Sequence, residues 1–133
     1  LLPVLASAAN PTYQLGVDDQ KTVDCDNPTH RVARAGQTVG DPLDPSEIDR
    51  VEVVISKGAF SQTVVMIGGC KPVPLDISTW EPGTYSQVGY TFDTSEPQLV
   101  SVASQDAPFD LLPPPLTAPL PPSMIESGSA SGN

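Results

Sequence analysis

The sequence has little positive charge, and none after Lys71. Six Lys and Arg residues stand against sixteen Asp and Glu residues, which gives a formal net charge of −10 at pH 7. Nucleic acids and anionic lipids are bound largely through Lys and Arg, so this charge excludes both classes of partner. No apolar run approaches the roughly 18 residues that cross a bilayer, so we also expect no membrane span.

Residue types that serve in catalysis are scarce as well. His30 is the only histidine, and it follows the turn sequence Asn27-Pro28-Thr29. A catalytic triad needs a nucleophile beside such a base and a third group that orients it, and no Gly-x-Ser-x-Gly motif is present. Phosphate-binding loops and dinucleotide fingerprints are absent too. We therefore expect no enzymatic activity and no cofactor.

The acidic residues include one group that could offer hard oxygen ligands to calcium: Asp41, Asp44, Glu47 and Asp49. Oxygen-rich carboxylate clusters are the usual calcium ligands, but the spacing of these four does not match an EF-hand loop. We interpret them as solvated loop charge and expect no metal site. Calcium binding in this loop is the alternative.

The chain has two cysteines, Cys25 and Cys70, and neither lies in a Cys-x-x-Cys motif. Without a third thiol or a histidine cluster, a metal or redox role has no support. A disulfide is the main prediction, and it implies an extracytoplasmic location, secreted or at the cell surface. The alternative is a pair of buried thiols in a reducing compartment.

Short segments rich in β-branched and aromatic residues alternate with turn sequences, which predicts an all-β fold: a single antiparallel β-sandwich of seven or eight short strands. The strongest pair is the hairpin 51–57 and 61–67 around Gly58-Ala59-Phe60, with Val51, Val53 and Ile55 facing inward. Asp44 at an N-cap and Pro45 after it predict one helical turn. The predicted strands are Tyr13–Val17, Lys21–Cys25, Arg31–Ala35, Arg50–Lys57, Ser61–Ile67, Leu75–Ser78, Thr84–Phe92 and Gln98–Ser104.

The segment Trp80–Asp93 contains Pro-Gly-Thr-Tyr followed by an alternating strand that ends in Asp. This segment resembles a late strand of bacterial immunoglobulin-like domains. It departs from antibody-type domains, because no tryptophan lies between the two cysteines. The resemblance implies an immunoglobulin-like sandwich and assigns no functional residue.

Both ends of the chain differ in composition from residues 11–105, which we assign to the β-sandwich domain. Residues 1–10 are an apolar extension, interpreted either as the remnant of a signal peptide or as a mature apolar peg. Residues 106–133 form a proline-rich, then Ser/Gly-rich C-terminal arm in which we expect polyproline II conformation. One interpretation of the arm is a linker or stalk. The other, which we adopt, is that its apolar residues bind a neighbouring subunit, because a pure spacer does not need them: Phe109, Leu111, Leu112, Leu116, Leu120, Met124 and Ile125.

These features together predict a non-enzymatic structural subunit of an extracytoplasmic assembly, such as a surface filament, a pilus or a sheath. Its partners would be other protein subunits, copies of itself in the first place. Two alternatives remain open: a capsid-decoration or tail protein of a virion, and an accessory binding module docked on a larger protein complex.

Overall fold

A computed structural model describes residues 9–126 and shows an all-β chain with seven strands and one short 3₁₀ turn in this range. Residues 1–8 of the predicted apolar extension and residues 127–133 of the arm lie outside the described residues. The strands are β1 (Thr12–Gln14), β2 (Gln20–Val23), β3 (Ile48–Lys57), β4 (Phe60–Ile67), β5 (Val73–Asp76), β6 (Gly83–Asp93) and β7 (Phe109–Leu112). The all-β prediction is confirmed.

The strands form a five-stranded sheet in the order β1-β7-β6-β3-β4 and a two-stranded sheet of β2 and β5. All pairs are antiparallel except β1 and β7, which run parallel. The prediction of an entirely antiparallel arrangement is therefore wrong at this pair. Antiparallel neighbours can follow one another through tight turns, whereas β1 and β7 come from opposite ends of the chain.

The core is one cluster of buried side chains. Val51, Val53 and Ile55 of β3 are all buried, so the inward face predicted for the hairpin is confirmed. Val23 of β2 joins the same cluster of buried side chains, so both sheets contribute to one core. Lys57 pairs with Phe60, so the turn holds two residues rather than the predicted three.

The disulfide between Cys25 and Cys70 is present, as predicted. Cys25 follows β2 and Cys70 follows β4, so the bond links the small sheet to the outermost strand of the large one. The predicted helical turn is also present over Pro45–Glu47. The Asp44 side chain caps it by accepting from the Ser46 N–H, and Glu47 accepts from the Asp44 N–H.

Two predicted strands are not strands. Residues 31–35 lie in a loop in which only His30 and Pro42 form an isolated bridge. The segment 98–104 follows β6, yet only Val100 forms a bridge, to Phe92. The N–H groups of this segment that donate to β6 are three residues apart, whereas the β6 carbonyls that accept them are two residues apart. The two spacings do not match, so a regular ladder cannot form.

A strand that the sequence did not predict lies within the proposed arm. Residues 109–112 form β7, which pairs with β6 on one side and with β1 on the other. The folded body therefore extends to Leu112, and the boundary predicted at residue 106 was too early. Proline-free Phe109–Leu112 is the only part of residues 106–116 that could enter a sheet interior.

Candidate interaction surface

The base of the arm is fixed in the core by Phe109 and Leu111, which are 1% and 2% exposed. The Phe109 ring stacks on the Tyr85 ring at a centroid distance of 5.3 Å and meets the Tyr13 ring edge-on at 5.7 Å. The prediction that these two residues bind a neighbouring subunit is therefore wrong. They fill the core of their own chain, because the inward positions of β7 alternate with Asp110 and Leu112 on the other face.

Beyond Leu112 the arm leaves the body. Residues 113–126 form neither helix nor strand. Their four large apolar side chains are almost fully exposed: Leu116 100%, Leu120 90%, Met124 85% and Ile125 89%. Single exposed apolar residues are common on protein surfaces, whereas four in fourteen residues are an unusually dense exposed apolar stretch.

The five-stranded sheet protects one part of its backbone with side chains. The N–H of Thr91 donates to the Ser101 hydroxyl at 2.9 Å, and that of Gly89 donates to the Ser104 hydroxyl at 2.8 Å. The backbone N–H groups of Ser101 and Ser104 in turn donate to the carbonyls of Thr91 and Gly89. The exposed side of β6 beyond β7 is thus closed without a further strand.

The edge at β1 is closed in a similar way. The N–H of Gln14 donates to the Asp18 carboxylate at 3.0 Å. The carbonyl of Gln14 accepts from the N–H groups of Val17 and Asp18. With only three residues and both of these groups occupied, β1 offers little backbone for another strand.

The opposite edge, formed by β4, is open. The Gly68 N–H donates to the Asp49 carbonyl, which sets the alternation of the β3–β4 ladder. From this register, the backbone N–H and C=O groups that point away from β3 belong to Ser61, Thr63, Val65 and Ile67. None of these groups has a hydrogen-bond partner among the described residues. The strand Phe-Ser-Gln-Thr-Val-Val-Met-Ile also contains no charge and no proline, the usual protection of an edge.

Val65 and Ile67 of this open edge also contribute to the outer face of the sheet, where they are 48% and 66% exposed. Further along this face the Arg50 guanidinium lies 3.8 Å from the centroid of the Phe92 ring and pairs with Glu52. Val65 and Ile67 therefore add exposed apolar surface to the outer face at its β4 edge. The open backbone and the exposed apolar side chains belong to the same strand.

Two grooves lie elsewhere on the body. One, of about 520 Å³, has apolar walls that include Val32 and Leu99, and the ion pair between Arg31 and Asp93 lies among its lining residues. The other, of about 510 Å³, is lined by Phe60, Trp80 and Tyr85. The Phe60 and Trp80 rings meet edge-on at 4.8 Å. Among the residues that line these grooves, no hydroxyl group is hydrogen-bonded to His30.

The ion pair at the first groove belongs to a dense network of hydrogen bonds. The buried Asp93 carboxylate accepts from Arg31 at 2.8 Å, from the Leu99 N–H at 2.8 Å, and from the backbone and hydroxyl of Ser95. Arg31 and the backbone N–H of Leu99 hold the pKa of Asp93 well below its ordinary value. Arg31 also binds Glu47, whose pKa is lowered first by the Asp44 N–H and then by Arg31.

Replacing Asp93 by asparagine is expected to lower the melting temperature by roughly 5–10 °C at pH 7, because the amide cannot satisfy both Arg31 and the N–H groups. The folded pKa of Asp93 is depressed, so its contribution is present above the unfolded pKa of about 3.9 and is lost as the pH falls below it. Melting curves between neutral and acidic pH check this. The wild type should lose stability more steeply than the variant, and a control at the exposed Asp49, Asp49→Asn, should follow the wild type. Parallel pH profiles for wild type and Asp93→Asn would contradict the assignment.

The proposed calcium ligands and His30 do not form a common site in the structure. No group of three potential metal ligands occurs in residues 9–126. The four proposed calcium ligands have other partners: Asp41 pairs with Arg34, Asp44 caps the 3₁₀ turn, Glu47 pairs with Arg31, and Asp49 pairs with Arg50. The calcium alternative therefore has no convergent site. His30 is exposed and shares a hydrogen bond with the neighbouring Thr29 hydroxyl at 2.9 Å.

The open edge of β4 is the feature that the sequence analysis missed. The one indication in the sequence was that residues 60–67 contain neither a charge nor a proline, which is unusual for an edge strand. Only the strand order could reveal that this strand is an edge, because the hairpin pattern is equally typical of a central pair.

Comparisons with protein-family models, with curated proteins and with solved structures find no match to this chain. Within residues 9–126, the structure has no helix with the length and apolar character needed to span a bilayer.

Proposed function

We propose that this chain is a non-enzymatic structural subunit of an extracytoplasmic assembly, such as a surface filament, a pilus or a sheath, and that it contacts its neighbours through its C-terminal arm. Other copies of the same chain are the first candidates for these neighbours. An immunoglobulin-like body, suggested by the Trp80–Asp93 resemblance, is compatible with this role, but the proposal does not depend on it.

The observation that supports the proposal is the contrast within the arm. Phe109 and Leu111 anchor its base in the core, while Leu116, Leu120, Met124 and Ile125 stand in solvent. Fully burying one such side chain contributes about 1.5–3 kcal/mol, so the exposed set can supply substantial binding energy to a partner. A fixed base also lowers the entropy lost when the arm binds.

The disulfide supports an oxidising location and thereby favours a surface assembly over a virion assembled in the cytoplasm. The charge of the chain supports the same class of partner, because it opposes binding to nucleic acid and anionic lipid. Between identical acidic copies, contacts through uncharged surface avoid the repulsion of like charges. The segment 111–125 contains no charged residue.

The double variant Leu116→Ser/Leu120→Ser is expected to weaken self-association of the purified chain by at least about tenfold, because two apolar contacts are lost. Sedimentation velocity over a range of concentrations measures this, with electron microscopy of the concentrated sample. The matched control is Val32→Ser/Val102→Ser, which replaces two equally exposed valines outside the arm. A wild-type chain that stays monomeric at every concentration argues against the proposal.

A further inference from the structure

The proline positions of the arm have a register that suits an edge strand. In an extended chain, alternate residues direct their N–H and C=O groups to the same side. Over residues 115–121 the prolines fall at 115, 119 and 121, all on one side. Leu116, Ala118 and Leu120 occupy the other side, and each of them retains its N–H. Pro114 and Pro122 close this window at both ends.

We infer that residues 115–121 of the arm add as a strand to the open β4 edge of a second copy of this chain, a step that rests on the proposed function. The arm would pair through the backbone of Leu116, Ala118 and Leu120 with the outward-pointing groups of β4. Proline is tolerated in a strand when its missing N–H faces away from the ladder, and this register meets that condition.

The side chains agree with this pairing. In an antiparallel pairing, residues that exchange hydrogen bonds across the ladder also face each other, so their side chains lie on the same face of the sheet. The outward-pointing backbone groups of β4 belong to residues whose side chains lie on the outer face, including Val65 and Ile67. Leu116 and Leu120 would therefore join the exposed Val65 and Ile67 on that face. The backbone register and the apolar pattern lead to the same placement.

The arm is too short to reach the β4 edge of its own chain in this register. A strand added beyond β4 lies four strand spacings from β7, about 19 Å away. From Leu112 to Leu116 a fully extended chain spans about 14 Å at most. The acceptor of Leu116 must accordingly be another molecule.

The small contact area and the blocked outer side of the added strand are both compatible with an assembly. The seven residues 115–121 span about 23 Å in extended form and cover about 230 Å² of an edge roughly 10 Å wide, less than a third of what one partner contributes to a standard interface. One arm alone thus binds weakly, and stable association needs each copy to give an arm and to receive one. After addition, the new outer edge has a single N–H, that of Thr117, so no further strand can follow.

Two proline substitutions in the exposed arm test the register without touching the folded body. Ala118→Pro removes an N–H that faces β4, whereas Thr117→Pro removes one that faces away. Sedimentation velocity at near-physiological salt, where repulsion between the acidic copies is screened, is the readout. We expect at least about tenfold weaker association for Ala118→Pro and a change within about twofold for Thr117→Pro. Hydrogen exchange should show the Thr63 and Val65 amides protected only at high concentration.

Each other outcome has a definite meaning. If the wild type associates and the two proline variants behave alike, strand addition is wrong while the proposed function stands, and docking of the arm in the aromatic groove beside Trp80 becomes the explanation. If the β4 amides are protected at every concentration, the arm pairs within its own chain and the inference is wrong. If the wild type never associates, self-assembly itself is wrong.

Discussion

Replacing Phe109 by alanine is expected to lower the free energy of unfolding by about 3–5 kcal/mol, the cost of truncating a fully buried aromatic side chain. The ring is 1% exposed, lies between Tyr85 and Tyr13, and has the Lys21 ammonium 4.9 Å from its centroid. Its removal leaves a cavity under β7. Urea unfolding followed by Trp80 fluorescence measures the change.

The matched control for Phe109 is its near neighbour Leu112, which lies in the same strand but is 42% exposed on the outer face. Leu112→Ala should cost less than about 1 kcal/mol. Similar small losses for both variants would show that Phe109 belongs to a loose arm rather than to the core. Hydrogen exchange of β7 gives a second readout, because loss of the Phe109 ring should loosen the base of the arm.

Removing the disulfide with Cys25→Ala/Cys70→Ala is expected to lower the free energy of unfolding by about 4 kcal/mol, since the bond closes a loop whose ends are 45 residues apart. This loop contains the central hairpin of β3 and β4, so the unfolded chain gains freedom over about a third of its length. Chemical denaturation of the variant and of the oxidised wild type measures the difference.

Reduced wild-type protein provides the control for the cysteine variant. Both lack the cross-link, so their unfolding midpoints should agree and lie well below that of the oxidised chain. Equal midpoints for oxidised and reduced wild type would mean that the bond contributes nothing to stability. A difference between the reduced chain and the double variant would instead report the packing of the two side chains.

Together the two substitutions probe different parts of the same body. Phe109 stabilises through native packing, whereas the disulfide acts mainly by restricting the unfolded chain. The arm variants proposed above should leave both stabilities unchanged, because residues 113–126 make no regular structure with the body. Stability and association can therefore be measured independently.

Local patterns were sufficient where neighbouring residues decide the structure. The alternation of Val51, Val53 and Ile55 predicted the inward face of β3, and Asp44-Pro45 predicted the single helical turn. The two cysteines predicted a disulfide, since no third thiol and no Cys-x-x-Cys motif offered them another partner. In each case the deciding contacts lie close in sequence or involve the only available partners.

The same local patterns failed where the partner lies far away in the chain. Residues 98–104 have the composition of a strand, but Ser101 and Ser104 satisfy β6 through their hydroxyl groups and prevent a regular ladder. Phe109–Leu112 follows a proline and precedes three more, so its composition resembled an arm. Its place between β6 and β1 depends on contacts across almost a hundred residues.

The sequence by itself determined the all-β character, the cross-link, the acidic surface and the apolar content of the arm, because these follow from residue types and their spacing. Only the tertiary structure decided which apolar residues of residues 106–126 are buried and which strand is left at an open edge. Strand order places β4 at the end of the sheet and β7 in its interior. That order is set by packing between distant segments, which no local pattern of side chains encodes.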